Sequence, residues 1–180
     1  MRLPRKTRWE ASWERPLTAE DTPPPLDVDR TVAALVRHDV DFVVIGGIAV
    51  LAHGHPRATF DVDLVADPGG TNMVRLASAL RELHARVRGV DADLLDVDPT
   101  DPEQLASGAN RTLTTSAGWV DFMPAAEGMR SYAEIAASAV PVRDGLFRVV
   151  GLDDLVRMKR VSGRSEDLDD IAALTYRDHR

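Results

Sequence analysis

The sequence contains no cysteine. That absence excludes a disulfide framework, a thiolate metal site and a cysteine nucleophile. No apolar run approaches the roughly 20 residues needed to cross a bilayer. The basic start, Met1-Arg2-Leu3-Pro4-Arg5-Lys6, has no apolar stretch behind it, so neither a membrane span nor a leader is expected and the cytoplasm is the expected compartment. A basic excess is also missing. The 22 Lys and Arg residues stand against 29 Asp and Glu, a formal net charge of −7, which argues against broad non-specific nucleic-acid binding. A local basic patch remains compatible with that balance, and divalent cations held among aspartates would reduce the negative field met by a polyanionic substrate. No internal repeat is visible.

What is present is ordinary for a globular chain: 44% hydrophobic and 28% charged residues over a length of 180, enough for one domain with a real core. Residues 1–26 read as a separate N-terminal extension, flexible and Pro-rich. Arg2, Arg5, Lys6 and Arg8 are followed there by Trp9 and Trp13 and then by Thr22-Pro23-Pro24-Pro25. Three consecutive prolines favour polyproline II over helix. The extension reads either as a solvated end or as an arm whose tryptophans dock on the domain or on a partner.

Residues 27–180 alternate between helical and strand periods, which predicts an α+β domain with a mixed sheet and helices packed mainly on one of its faces. Helices are expected over 27–38, 46–53, 71–88, 130–137, 152–161 and 165–177, and strands over 41–45, 60–65, 111–115, 119–123, 140–143 and 147–150. The 71–88 segment carries Met73, Leu76, Ala77, Leu80, Leu83 and Val87 at helical spacing, with Arg75, Arg81, Glu82 and Arg86 mostly opposite.

Side chains alternate across a strand, so in Phe60-Asp61-Val62-Asp63-Leu64 the two aspartates share one face and the apolar residues take the other. Two carboxylates so close repel each other unless a cation lies between them. Mg²⁺ is held in this way, through carboxylates together with substrate phosphates. The same spacing also fits an edge strand with a solvated acidic face. Upstream, Val43-Val44-Ile45-Gly46-Gly47 runs a buried strand into two glycines and a helix start. Free backbone N–H groups there suit an anion, although a Gly-Gly pair also serves as a plain tight turn. Asp121 is isolated in the apolar run Trp119-Val120-Asp121-Phe122-Met123, and a carboxylate buried there needs a partner, for which a shared metal is one solution. Lys159 falls at i+7 from Leu152 on the stripe that also carries Leu155 and Val156. It either snorkels its stem across the core edge or aims its ammonium inward at phosphate.

Together these residues resemble the nucleotidyltransferase superfamily built on the polymerase-beta-like minimal fold. That family's pattern is a glycine turn, then Asp-x-Asp, then a later strand aspartate, here Gly46-Gly47, Asp61-x-Asp63 and Asp121. Within the superfamily the chain looks most like the AbiEii-type toxin branch and related bacterial nucleotidyltransferases. The resemblance rests on Gly47-x-Ala49 with His53-Gly54, on Arg57-x-Thr59, and on the closing Lys159, Arg164, Asp167 and Asp170. Two positions depart from it: Gly47 replaces the serine of many relatives, and Glu166 stands where lysine is common.

The resemblance implies transfer of a nucleoside monophosphate from an NTP to an acceptor hydroxyl. Two Mg²⁺ ions roughly 3.5–4 Å apart, with Mn²⁺ as an alternative, would be held by Asp61, Asp63 and Asp121. Asp121 could also accept the nucleophile's proton. Nucleotide-binding roles would fall to Gly46, Gly47, Arg57, Thr59, Lys159 and Arg164, with Asp167 orienting Lys159 or Arg164. The acceptor would be tRNA, another RNA or a protein, and the chain could be the toxin of a toxin–antitoxin pair with a cognate antitoxin as partner. A catalytically silent nucleotide-binding relative that acts as a partner-binding module is the alternative from another class. A metal-dependent phosphohydrolase lacks support, because His53 and His55 look like turn and cap residues and not like a histidine cluster.

Overall fold

The computed structural model describes residues 25–89, 97–124, 126 and 128–176. Up to residue 24 the expected N-terminal extension therefore lies outside the described residues, as does the end of the last expected helix, from residue 177 on. Within the described part Leu26 packs against the core and Asp27 N–H donates to Ala117 O at 2.8 Å.

The α+β class and the mixed sheet read from the sequence are what the structure shows. Helix α1 (Val28–Arg37) starts where the Asp27 side chain accepts the Arg30 N–H at 2.9 Å, and it buries Val32, Ala34 and Leu35. Strand β1 (Phe42–Val44) is buried along its length and runs into α2 (Gly46–Ala52). A loop returns the chain to β2 (Asp61–Ala66), and α3 (Gly70–Glu82) follows. After the two-residue strand β3 (Arg86–Val87) come α4 (Pro102–Ala106), then β4 (Arg111–Thr115) and β5 (Gly118–Phe122) as a hairpin. Helix α5 (Tyr132–Ser138) opens with a capping box between Ser131 and Glu134. The second hairpin, β6 (Val140–Val142) and β7 (Phe147–Val149), leads to α6 (Leu152–Ser162) and α7 (Ser165–Thr175). Gly163, in the left-handed conformation at φ 63, closes α6.

Among the described residues seven strands form one sheet in the order β3-β4-β5-β2-β1-β7-β6. Parallel pairs at β2–β5 and β1–β7 join antiparallel pairs at β1–β2, β3–β4, β4–β5 and β6–β7. Val62, Leu64, Val120 and Phe122 lie in the main core, in which Val32, Leu35, Met73, Leu76, Leu80 and Leu113 are also buried. Asp61, Asp63, Trp119 and Asp121 alternate with them and share the other face of β2 and β5. Among the described residues no helix is long and apolar enough to cross a membrane.

Two expectations need correction. The predicted 71–88 helix stops at Glu82, because His84 turns to φ 53 with its N–H on Arg81 O, and Ala85 N–H closes on Leu80 O. Arg86 and Val87 then pair with Thr114 and Leu113 as an edge strand. Val87 meets the core from either conformation, so helical spacing alone did not mark the break. Phe60 does not share the core face with Val62 and Leu64: β2 begins one residue later, and Phe60 is 63% exposed.

Candidate active site

Three elements meet where the sheet's polar face borders α6 and α7. β1 delivers the chain to the Gly46–Gly47 turn, β2 carries Asp61 and Asp63, and β5 carries Asp121. In the parallel β2–β5 register Asp63 lies opposite Asp121 and Asp61 opposite Trp119. The three carboxylates converge, each offering an oxygen within 4.8 Å of the others.

Both glycines are required by close approach. Gly46 has φ 60, and a Cβ there would stand 1.8 Å from Asp63 Oδ2. A Cβ on Gly47 would stand 2.5 Å from Thr59 Oγ1. The turn thus lets Asp63 and the Arg57–Thr59 stretch press against the start of α2. The Gly47 N–H, expected to face phosphate, instead favours the charged form of the Asp63 carboxyl. Thr59 Oγ1 donates to Asp61 Oδ1 at 3.2 Å, and Arg88 Nη2 donates to Asp121 Oδ1 at 3.2 Å. Asp61 and Asp121 are thus each held by a side-chain donor. Burial and the nearby Asp61 and Asp121 charges push the Asp63 carboxyl up to about 7, against the Gly47 hydrogen bond and the Arg164 charge. Asp121 is also raised, chiefly by burial, with Arg88 opposing the shift.

The carboxylates open on a cavity of about 510 Å³. Every residue singled out from the sequence as catalytic, metal-ligating or nucleotide-binding lines it: Gly46, Gly47, Arg57, Thr59, Asp61, Asp63, Asp121, Lys159, Arg164 and Asp167. Phe60, Asn110, Met123, Met158 and Glu166 line it too.

Opposite the aspartates sits a network of ion pairs. Lys159 is 5% exposed, so it does not snorkel to solvent. Its Nζ lies 2.8 Å from Asp167 Oδ1 and 2.7 Å from Asp170 Oδ2. Arg57 Nη1 reaches the same Asp170 oxygen at 2.6 Å, and Arg164 Nε donates to Asp167 Oδ2 at 2.9 Å. Burial alone would raise the Asp167 carboxyl, but hydrogen bonds from Arg164, Lys159 and Ser162 outweigh it and hold the group well below the usual range. Glu166 stands between the two arginines, with Arg164 Nη1 at 3.4 Å and Arg57 Nη2 at 3.9 Å. The lysine thus lines the cavity with two carboxylates already on its ammonium.

Sequence reasoning assigned no role to Arg88 and treated Asp170 only as part of a motif. Asp170 could have been found from its i+3 spacing to Asp167, which stacks both carboxylates on one face of α7. Arg88 had no such signal, because its segment read as helix.

No family model and no curated protein matches the chain. Among solved structures it is similar to the antibiotic-resistance factor ANT(2'')-Ia in solution, at 18% identity and a TM-score of 0.46 over 84% of this chain and 91% of that one. It is also similar to the crystal structure of ANT(2'')-Ia in complex with adenylyl-2''-tobramycin, at 16% identity and a TM-score of 0.44 over 83% of this chain and 95% of that one. Likeness at this level leaves the chemistry of the site to be read from its own geometry.

Proposed function

We propose that the chain is a nucleotidyltransferase that moves a nucleoside monophosphate from an NTP to an acceptor hydroxyl and releases pyrophosphate. The observation that supports this is the convergence of three carboxylates within 4.8 Å on a cavity shared with the Gly46–Gly47 turn and two arginines. Such a cluster is repulsive unless a cation joins it. An all-oxygen donor set suits Mg²⁺, with Mn²⁺ as the alternative, and Asp61, Asp63 and Asp121 would hold it. A divalent cation bound there supplies positive charge to the phosphoryl group being transferred.

The chain's own residues do the rest in this reading. Arg57 and Arg164 exchange part of their contact with Glu166 for phosphate oxygens, and the backbone N–H groups of the Gly46–Gly47 turn would contact the phosphates. Lys159, held by Asp167 and Asp170, adds positive field on the β/γ side. The acceptor oxygen forms a bond to the α-phosphorus while the bond from that phosphorus to the pyrophosphate oxygen breaks. The hydroxyl proton passes to Asp121. The motifs shared with the AbiEii-type branch favour tRNA, another RNA or a protein as acceptor, and a toxin role with a cognate antitoxin as partner.

A second reading draws on the ion network: Arg57, Lys159 and Arg164 all sit on carboxylates already, as a nucleotide-binding relative without turnover would tolerate. One experiment separates the two. Purified chain is incubated with each α-labelled NTP, Mg²⁺ or Mn²⁺, and total cell RNA or lysate. Label should move to a macromolecule with the wild type and not with Asp63→Asn. NTP binding without transfer from any of the four nucleotides would support the silent relative.

A further inference from the structure

Arg88 lies one residue beyond β3, and its backbone continues that strand's pairing. Its N–H donates to Thr112 O at 2.8 Å, and its carbonyl accepts from Thr112 Oγ1 at 3.1 Å. Thr112 is in register with Asp121 across the β4–β5 pair, and Trp119 precedes Asp121 by two residues on the same face. The ladder therefore carries the Arg88 side chain over both. Its guanidinium carbon sits 4.0 Å from the Trp119 ring centroid while Nη2 reaches Asp121 Oδ1. Among the described residues the buried Nε has no hydrogen-bond partner, and the ring and the carboxylate are what hold the group there. The cations that line the cavity, Arg57, Lys159 and Arg164, pair with Glu166, Asp167 or Asp170. Among the described residues Arg88 is the cation hydrogen bonded to one of the three converging aspartates.

We propose that Arg88, docked on Trp119, is a positioning residue that sets the direction of the Asp121 carboxylate and stands in for part of a divalent cation's charge while the metal is absent. The metal half of this inference rests on the function proposed above; the positioning half does not. Guanidinium and divalent cation compete for the same carboxylate, because like charges at this range repel. Arg88 thereby holds Asp121 in place at the expense of metal affinity.

Two measurements on the full chain test the inference. The first is Mn²⁺ binding to the nucleotide-free protein, followed by calorimetry and by the Mn²⁺ EPR signal. Arg88→Met should bind Mn²⁺ more tightly, by about fivefold or more, as removal of a neighbouring like charge requires. Its kcat for label transfer should fall with little change in the KM for NTP, since Asp121 loses its direction. Arg88→Lys keeps the charge, so its Mn²⁺ affinity should stay near wild type, and Trp119→Leu should move affinity in the direction of Arg88→Met. Unchanged or weaker Mn²⁺ binding in Arg88→Met overturns the competition, because a role in folding alone cannot tighten metal binding. Arg88→Gln serves the same readouts if the methionine variant does not fold.

The second measurement needs no metal. In EDTA, the Tm loss caused by Arg88→Met should shrink to about half or less when Asp121 is already Asn, as coupled neighbours in a double-mutant cycle require. Additive losses overturn the positioning role. A wild-type chain that binds no Mn²⁺ counts against the proposed function, and the cycle alone then decides the role of Arg88.

Discussion

Asp63 on β2 lies directly opposite Asp121 on β5 in a parallel pair, and the Asp63 side chain presses against the glycine turn that ends β1. Two carboxylates are thus set against each other by backbone pairing, which neither can escape by a rotamer change alone. The sheet holds the repulsion in place, and that makes the pair sensitive to charge.

Asp63→Asn should therefore stabilise the metal-free protein. A carboxyl raised from its ordinary value to about 7 in the folded state destabilises it at high pH, since the folded chain then gives up a proton it holds more tightly than the unfolded chain does. The penalty is fully present above pH 7 and is relieved as pH falls through 7 towards 4. At about 1.36 kcal/mol per unit the shift corresponds to an upper bound near 4 kcal/mol, and partial solvent screening brings the expected gain to roughly 1–3 kcal/mol. Melting curves in EDTA between pH 4 and 8 check it: the gain should appear at pH 8 and vanish near pH 4. A gain that does not depend on pH would assign the effect to packing. The same substitution should abolish label transfer.

Gly46→Ala should disrupt both fold and site. The methyl would stand 1.8 Å from Asp63 Oδ2 at a residue with φ 60, so either the turn or Asp63 must move. A loss of roughly 1–3 kcal/mol is expected from the backbone strain, together with loss of the thermal upshift expected for the wild type with Mg²⁺ plus NTP. Retention of that upshift would mean that Asp63 is not needed where it stands.

Lys159→Met tests the network opposite. The sequence left open a lysine that snorkels its stem across the core edge. The ammonium is instead buried between Asp167 and Asp170, and its removal leaves carboxylates partly unpaired. A destabilisation of about 3–5 kcal/mol is expected at pH 7, and urea unfolding measures it. Adding Asp170→Asn should recover part of the loss, because one buried charge is removed with its partner. A near-neutral single variant would show that the carboxylates find other donors.

Glu166→Gln should tighten NTP binding. Glu166 is the exposed carboxylate of the network and contacts both cavity arginines. Neutralising it frees their charge for phosphate, an effect of up to about 1 kcal/mol for surface pairs and weaker at high salt. Affinities measured at low and high ionic strength check both the sign and the salt dependence. Weaker binding in the variant would mean that Glu166 itself contacts the ligand.

Much of the arrangement was legible because it is local. Alternation in Asp61-x-Asp63 decides that both carboxylates share a face, whatever lies on it. A glycine pair after an apolar strand announces a sharp turn, and the 3.6-residue period of α6 brings Lys159 onto its buried stripe. The element order, with strands and helices interleaved, already implied a mixed sheet.

Contacts between distant segments were decided only in three dimensions. No local period distinguishes an amphipathic helix from a helix followed by a short edge strand when Val87 meets the core either way, so β3 was invisible, and with it Arg88. That the Lys159 ammonium meets Asp167 and Asp170 depends on how α7 folds back against α6 at Gly163. The convergence of Asp121 on Asp61 and Asp63 depends on β5 pairing parallel with β2 across more than fifty residues of chain. The sequence by itself thus determined which residues could act and which face each would take, since periodicity is a property of neighbouring residues. The charge state of each group and the partner that holds it belong to the tertiary structure, because electrostatic energy depends on distance in space and on burial, and neither is written in the spacing along the chain.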